Sequence, residues 1–210
     1  MNAAFLELPQ EKRSRIVNAG YEVFARYEYK RASTEEIALK AGISKGLLFY
    51  YFHDKKTFYG YLFECAAERI KANVVDEGFD SVTDFFDLCA YAAERKYRLM
   101  AESPYIMDFI VRAYYALLET GSEAVKEKVA RESKNLYQNY FTHVDTSKFR
   151  EEMSAEEVFR MLTWMTDGFL HERRRMGQSV DLGEVMAQFR RWSDYFRRMA
   201  YKPEFQQAGD

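Results

Sequence analysis

The sequence predicts an all-α protein of about nine helices, with an N-terminal three-helix helix-turn-helix head and a larger helical C-terminal part. Three observations carry this. Only 10 Gly and 3 Pro serve 210 residues, too few turn formers for a sandwich of many short strands. Apolar residues recur at three- and four-residue spacing along most of the chain. Ser33-x-x-Glu36 and Ser154-x-x-Glu157 have the S-x-x-E form that caps a helix start. A hydrophobic content of 48% argues against disorder.

The first helix is predicted to begin after Pro9 and run to about Tyr29, with Ile16, Gly20, Val23, Phe24 and Tyr27 recurring at helical spacing. Arg31-Ala32 makes a short break. Ser33 then caps a second helix by accepting from the Glu36 N–H. Ile37, Ala38 and Ala41 turn inward, and Gly42 ends the helix where the chain needs a positive φ. Lys45-Gly46 opens a short third helix over Leu47 to Phe52. Two helices of about eight residues joined by a Gly-containing turn form a helix-turn-helix. Neither is long enough to be stable alone, so the first helix must supply packing. Ala38 suits the close helix crossing, and Ile43 and Leu48 close the small core.

Asp54 is predicted to cap a fourth helix that runs to about Val75 and stops by Gly78. A fifth covers about Ser81 to Ala101. A sixth opens at Pro104 and ends at Gly121, and a seventh runs from Ser122 to His143. Asp145 to Glu152 reads as a polar connection. Ser154 opens the eighth helix, which ends at Gly177, and Asp181 with Glu184 opens the ninth, to about Tyr201. Pro203 to Asp210 reads as a frayed tail.

Cys65 and Cys89 stand 24 residues apart and, with three scattered His, make no metal or redox spacing. No metal and no cofactor is expected. His171-Glu172 is followed by Arg173-Arg174, which is not the H-E-x-x-H pattern. The sequence has neither a phosphate-cradling Gly loop nor a nucleophile elbow, so no enzyme is expected. No apolar run approaches the ~20 residues of a membrane span. The N-terminal stretch has no apolar h-region preceded by positive charge. A cytoplasmic protein with no membrane partner is the expectation. Charge is uneven: residues 1–56 carry ten basic groups against seven acidic, a balance of +3, while the rest is −5. That pattern fits a nucleic-acid-facing head and also fits ordinary scatter of solvated charge.

Ile16-x2-Ala19 and Phe24 stand in the first helix, and Ser33-Thr34-x2-Ile37-Ala38-x2-Ala41-Gly42 spans the second. Ile43-Ser44-Lys45-Gly46-x-Leu48-x-Tyr50-Tyr51-Phe52-x-x-Lys55 follows, then Phe58. In this pattern Arg15 to Phe63 resembles the DNA-binding domain of the TetR family of bacterial transcriptional regulators. The resemblance implies that 1–53 is a helix-turn-helix DNA-binding domain and 54–210 a helical ligand-binding and dimerisation domain. It implies a sequence-specific regulator, a ligand-responsive repressor that binds a palindromic operator in double-stranded DNA as a homodimer. A small hydrophobic or aromatic effector would release it. The alternatives are a DNA-binding structural factor without a ligand, or an all-helical carrier or enzyme.

The resemblance places Thr34, Ser44, Lys45, Gly46, Leu47, Phe49, Tyr50, Tyr51 and Lys55 against DNA, with the third helix in the major groove and its neighbours on phosphates. Thr34 offers a hydroxyl and free N–H groups in a first helical turn. Lys55 and Lys56 lie at a helix N-terminus, where cations are disfavoured by ~0.3–1 kcal/mol unless an anion binds. Family members often have a small or polar residue in place of Leu47 and Tyr in place of Phe49. Leu47 can touch a thymine methyl but cannot hydrogen-bond a base. More weight therefore falls on Lys45, apolar contacts and DNA shape.

In the C-terminal part Val158, Leu162, Met165 and Phe169, and Val185, Phe189, Trp192, Phe196 and Met199, follow heptad-like spacing. Two such helices from each of two chains would make a four-helix dimer interface; the same seams could equally pack on the chain's own core. Phe86, Tyr91, Tyr97, Met100, Phe109, Arg112, Tyr114, Tyr137, Met161, Trp164 and Met165 are the candidate lining of an effector pocket. Aromatics at helical spacing also suit an ordinary core.

Overall fold

The computed structural model describes residues 2–103, 105–110, 112–113, 127, 136–177 and 181–206. The labelled helices are α1 (Ala3–Leu6), α2 (Gln10–Arg26), α3 (Thr34–Ala41), α4 (Lys45–Phe52), α5 (Lys55–Val74), α6 (Glu77–Ser81), α7 (Phe85–Glu102), α8 (Leu136–Tyr140), α9 (Ala155–Arg175) and α10 (Leu182–Ala200). Residues 105–110 are also helical. Short 3-10 turns stand at Thr146–Lys148 and Pro203–Phe205. Among the described residues the protein is all-helical apart from one isolated antiparallel bridge, Phe149 with Tyr201.

The start signals hold at atomic level. Ser33 Oγ accepts from the Glu36 N–H at 3.3 Å and Asp54 from the Thr57 N–H at 2.7 Å. Ser154 accepts from the Glu157 N–H at 3.1 Å, and Asp181 from the Glu184 N–H at 2.7 Å. Gly42 closes α3 at φ +68°, where a Cβ would be strained. Two helices were not foreseen. α1 precedes the first predicted helix, and Gly78, expected as a stop, lies inside α6, which Asp76 caps through the Phe79 N–H. The helix expected from Ser81 starts at Phe85, because Asp84 accepts from the Phe86 and Asp87 N–H groups. Most of the predicted sixth and seventh helices lies outside the described residues.

The chain divides into two compact units, Met1–Asn73 with Leu99–Ser133, and Val74–Arg98 with Lys134–Asp210. The expected partition at residue 54 is one of role, and these packing units cut the chain elsewhere. In the first unit α2 packs on α3 and α3 on α4, with Ile16, Phe24, Ile37, Ala38, Leu48 and Phe52 buried. α5 packs so closely on α2 that a Cβ on Gly20 would stand 2.6 Å from Leu62 Cδ1 and 2.7 Å from Phe58 Cζ. Phe109 joins the same core against Tyr21 and Tyr59. α1 forms a latch on α4. The Asn2 N–H donates to the Tyr51 carbonyl at 2.7 Å, and buried Phe5 meets Tyr51, Phe52 and Tyr61. A helix end leaves its last carbonyls without partners, and the latch satisfies one of them.

In the second unit a polar network is built around Asp84. Its carboxylate accepts from Lys148 Nζ at 2.8 Å and from the Tyr201 hydroxyl at 3.1 Å, and it pairs with Arg197 at 3.3 Å. Arg197 also pairs with Asp87 and lies over the rings of Phe86 and Tyr201. α9 packs along α10, where Phe169 meets Trp192 edge-on at 5.9 Å.

Candidate nucleic-acid interface

α4 is short and two-faced. Ser44 caps it by accepting from the Leu47 N–H at 3.1 Å. Spacing of three and four along the helix turns Leu48, Tyr51 and Phe52 into the core. The same geometry leaves Ser44, Lys45, Gly46 and Tyr50 on the outside, with Tyr50 55% exposed. Gly46 has only Ser44 Oγ within 4 Å of a Cβ position, at 3.9 Å, so this edge is open. Leu47 and Phe49 are half-buried at the rim. Lys45 Nζ lies 5.7 Å from the Phe49 ring centroid.

Three of the residues placed against DNA by the resemblance are buried or tied elsewhere. Tyr51 is buried beside Phe5, because it shares the inward face with Leu48. Lys55 Nζ donates to the Ala32 carbonyl at 2.6 Å and sits 4.8 Å over the Tyr29 ring. The lysine thus ties the loop before α3 to the start of α5, and burial pulls its pKa below the usual lysine value. Thr34 is buried too, and its hydroxyl lies 3.4 Å from a Glu35 carboxylate oxygen, to which it donates.

Glu35 is the residue that sequence reasoning missed. Its carboxylate accepts from Ser33 Oγ at 3.1 Å and pairs with Lys45. The Lys45 hydrogen bond first, then its own backbone N–H and the Ser33 hydroxyl, bring its pKa down to about 2. The signal was its place in the first turn of α3, the turn that the helix crossing brings beside the start of α4.

The dimer-seam candidates do not form one free face. Val158, Leu162 and Phe196 are buried within this chain. They are corrected from interface to core, since a residue already covered has no apolar area left for a partner. Phe169, Val185, Phe189 and Trp192 are half-buried, while Met165 and Met199 are exposed. Trp164 and Tyr195, at 64% and 61%, are the most exposed aromatics of α9 and α10.

The pocket candidates are divided between the units. Phe109, Met100 and Arg112 belong to the first, and Phe86, Tyr91, Tyr97, Tyr137, Met161, Trp164 and Met165 to the second. Phe86 and Phe109 are fully packed core residues. Tyr91 donates to Asp76 at 2.7 Å, Tyr137 stacks on Phe141 and Tyr97 is exposed. Met100 and Met161 are half-buried. Tyr114 lies outside the described residues. A cleft of about 440 Å³ in the second unit is lined by Tyr137, Phe149, Arg150, Met153 and Glu156 among others.

A three-helix head with an open, capped third helix has the helix-turn-helix arrangement. Residues 16–62 match the family described as bacterial regulatory proteins, tetR family. It is 27% identical over 135 residues to the HTH-type transcriptional activator FasR of Mycolicibacterium smegmatis, a match covering 59% of this chain and 61% of that protein. The match thus spans less than two thirds of that relative's length. The fold is similar to a TetR family transcriptional regulator from Chloroflexus aurantiacus, with TM-score 0.67 and 22% identity over 96% of this chain and 98% of that one. It is also similar to SmeT, the repressor of the Stenotrophomonas maltophilia multidrug efflux pump SmeDEF, with TM-score 0.67 and 16% identity over 94% of each chain. No helix among the described residues is long and apolar enough to cross a membrane.

Proposed function

We propose that the protein is a cytoplasmic DNA-binding transcriptional repressor that grips a palindromic operator as a homodimer and is released by a small hydrophobic or aromatic effector. The observation that carries DNA binding is the two-faced α4: Leu48 and Phe52 anchor it in the core while Ser44, Lys45, Gly46 and Tyr50 are exposed. A rigid helix with an open leading edge suits the major groove. Residues 1–53 act as the reading head and 54–210 as the body. Exposed Trp164, Met165, Tyr195 and Met199 supply apolar area for pairing of two bodies. Arg112 Nε is buried with no hydrogen-bond partner among the described residues, an orphan that the polar end of an effector would satisfy. The effector acts through its difference in affinity for the operator-bound and released geometries. Of the similar proteins, SmeT is a repressor and FasR an activator.

Selection of bound sequences from random duplex DNA tests the proposal. The expected result is enrichment of one palindrome, bound more weakly by Lys45→Ala and Tyr50→Ala variants and with a steep salt dependence. Enrichment of nothing, or of a site without two-fold symmetry, overturns it. A reporter carrying the selected palindrome reads the sign of regulation.

A further inference from the structure

Lys45 is the only basic residue in α4. Of the neighbouring cations, Lys40 is paired with Glu22 at 2.9 Å and Lys55 is bound to the Ala32 carbonyl. The recognition helix therefore meets a polyanion with one ammonium group, and in the free protein that group is already paired with Glu35. The hydroxyls of Ser33 and Thr34 lie 3.1 and 3.4 Å from the other Glu35 oxygen and donate to it. One carboxylate thus holds three side-chain donors, of which Lys45 stands on the face that the proposed function turns toward DNA and Thr34 is buried behind it. Both members of the pair are exposed, with side chains 46% and 63% accessible, so the pair exchanges partners at little cost.

We propose that Glu35 is a built-in competitor for operator phosphate. Its carboxylate stands in for a DNA phosphate oxygen in the free head, and binding requires an exchange: Lys45 passes to phosphate and Glu35 swings away. Glu35 then lies as a like charge near the DNA backbone. The residue lowers affinity for all duplex DNA alike and flattens the salt response, because the exchange makes one new ion pair while breaking another. Glu35 reads no base. The inference rests on the DNA-binding role proposed above.

The test is Glu35→Gln in the full chain, titrated with the palindrome selected by the parent protein over a range of salt concentrations. Glutamine keeps the length of the side chain and an oxygen for Ser33, and gain of binding cannot arise from misfolding. The expected result is roughly tenfold tighter binding per head near physiological salt. The salt slope should steepen by up to about 0.9 per head, so that the advantage shrinks as salt rises. Glu36→Gln removes the same charge one residue away and is expected to change little. Equal or weaker binding by Glu35→Gln, or an equal gain from Glu36→Gln, overturns the inference while leaving DNA binding intact. A changed base preference in a repeated selection also overturns it, by making Glu35 a base reader. Failure of the parent protein to select any palindrome removes both the inference and the reading on which it rests.

Discussion

Replacing Lys55 by Met separates a structural lysine from a phosphate-binding one. The ammonium donates to the Ala32 carbonyl at 2.6 Å and lies 4.8 Å over the Tyr29 ring. Methionine keeps most of the stem and removes both interactions. A hydrogen bond to a charged group contributes about 1.5–3 kcal/mol, and a cation–π contact at a partly exposed site adds about 0.5–1 kcal/mol. Lys55 is half-buried, so water replaces part of what is lost, and the net cost should be about 2 kcal/mol. The loss should fall on the loop before α3, which the lysine fastens. The assay is urea unfolding read by hydrogen exchange at the α3 amides, alongside operator titration at several salt concentrations. Exchange should quicken by the equivalent of that free energy, with operator affinity falling in step and the salt slope unchanged. Unchanged exchange, with affinity lost and the slope reduced by about 0.9 per head, would show a direct phosphate ligand and refute the reasoning.

Gly20→Ala gains about 1 kcal/mol of helix propensity, but its Cβ would stand 2.6 Å from Leu62 Cδ1 and 2.7 Å from Phe58 Cζ, both fully buried. Overpacking of about 1–3 kcal/mol should outweigh the gain and lower the melting temperature; a rise would show that the core gives way easily. Asp84→Asn should destabilise the second unit by about 3 kcal/mol, since it strips buried Arg197 and half-buried Lys148 of a carboxylate partner. Burial alone would raise the Asp84 carboxyl, but Lys148 and Arg197 hold its pKa below the ordinary 3.8. Its stabilisation is whole above that value and drains as pH falls below it. The acid-unfolding curve of Asp84→Asn should therefore lose part of the parent's slope below pH 3.8. His53 ends α4 at φ +61° and ψ −49°, with the Asp54 N–H donating to the Phe52 carbonyl at 2.7 Å. His53→Gly should stabilise the head by about 1 kcal/mol, seen as a higher urea midpoint.

What was legible in the sequence is what neighbouring residues spell out. Ser33, Asp54, Ser154 and Asp181 each cap the helix that they were read to open, because a cap is a contact over three residues. Gly42 likewise announces its positive φ. What escaped reading depends on partners far along the chain. α1 is four residues long and shows no periodicity; the carbonyl of Tyr51 and the ring of Phe52 hold it in place. The end of Lys55 finds a carbonyl 23 residues upstream, which no local pattern records. The heptad spacing of Val158 and Leu162 marked an apolar face correctly but could not say whose atoms cover it, and the chain covers them itself. Tyr51 was the avoidable error: three residues after Leu48 and one before Phe52, it belongs to the inward stripe by periodicity alone.

The latch of Asn2 and Phe5 on α4 has a practical corollary for anyone preparing the protein. The backbone amide of Asn2 is committed to the Tyr51 carbonyl and Phe5 is wholly enclosed. A purification tag or fusion partner placed ahead of these residues would sit beside the helix that the proposed function lays in the groove. Affinities measured on such a preparation would report the handle as well as the head, and a handle at the opposite terminus is the sounder choice.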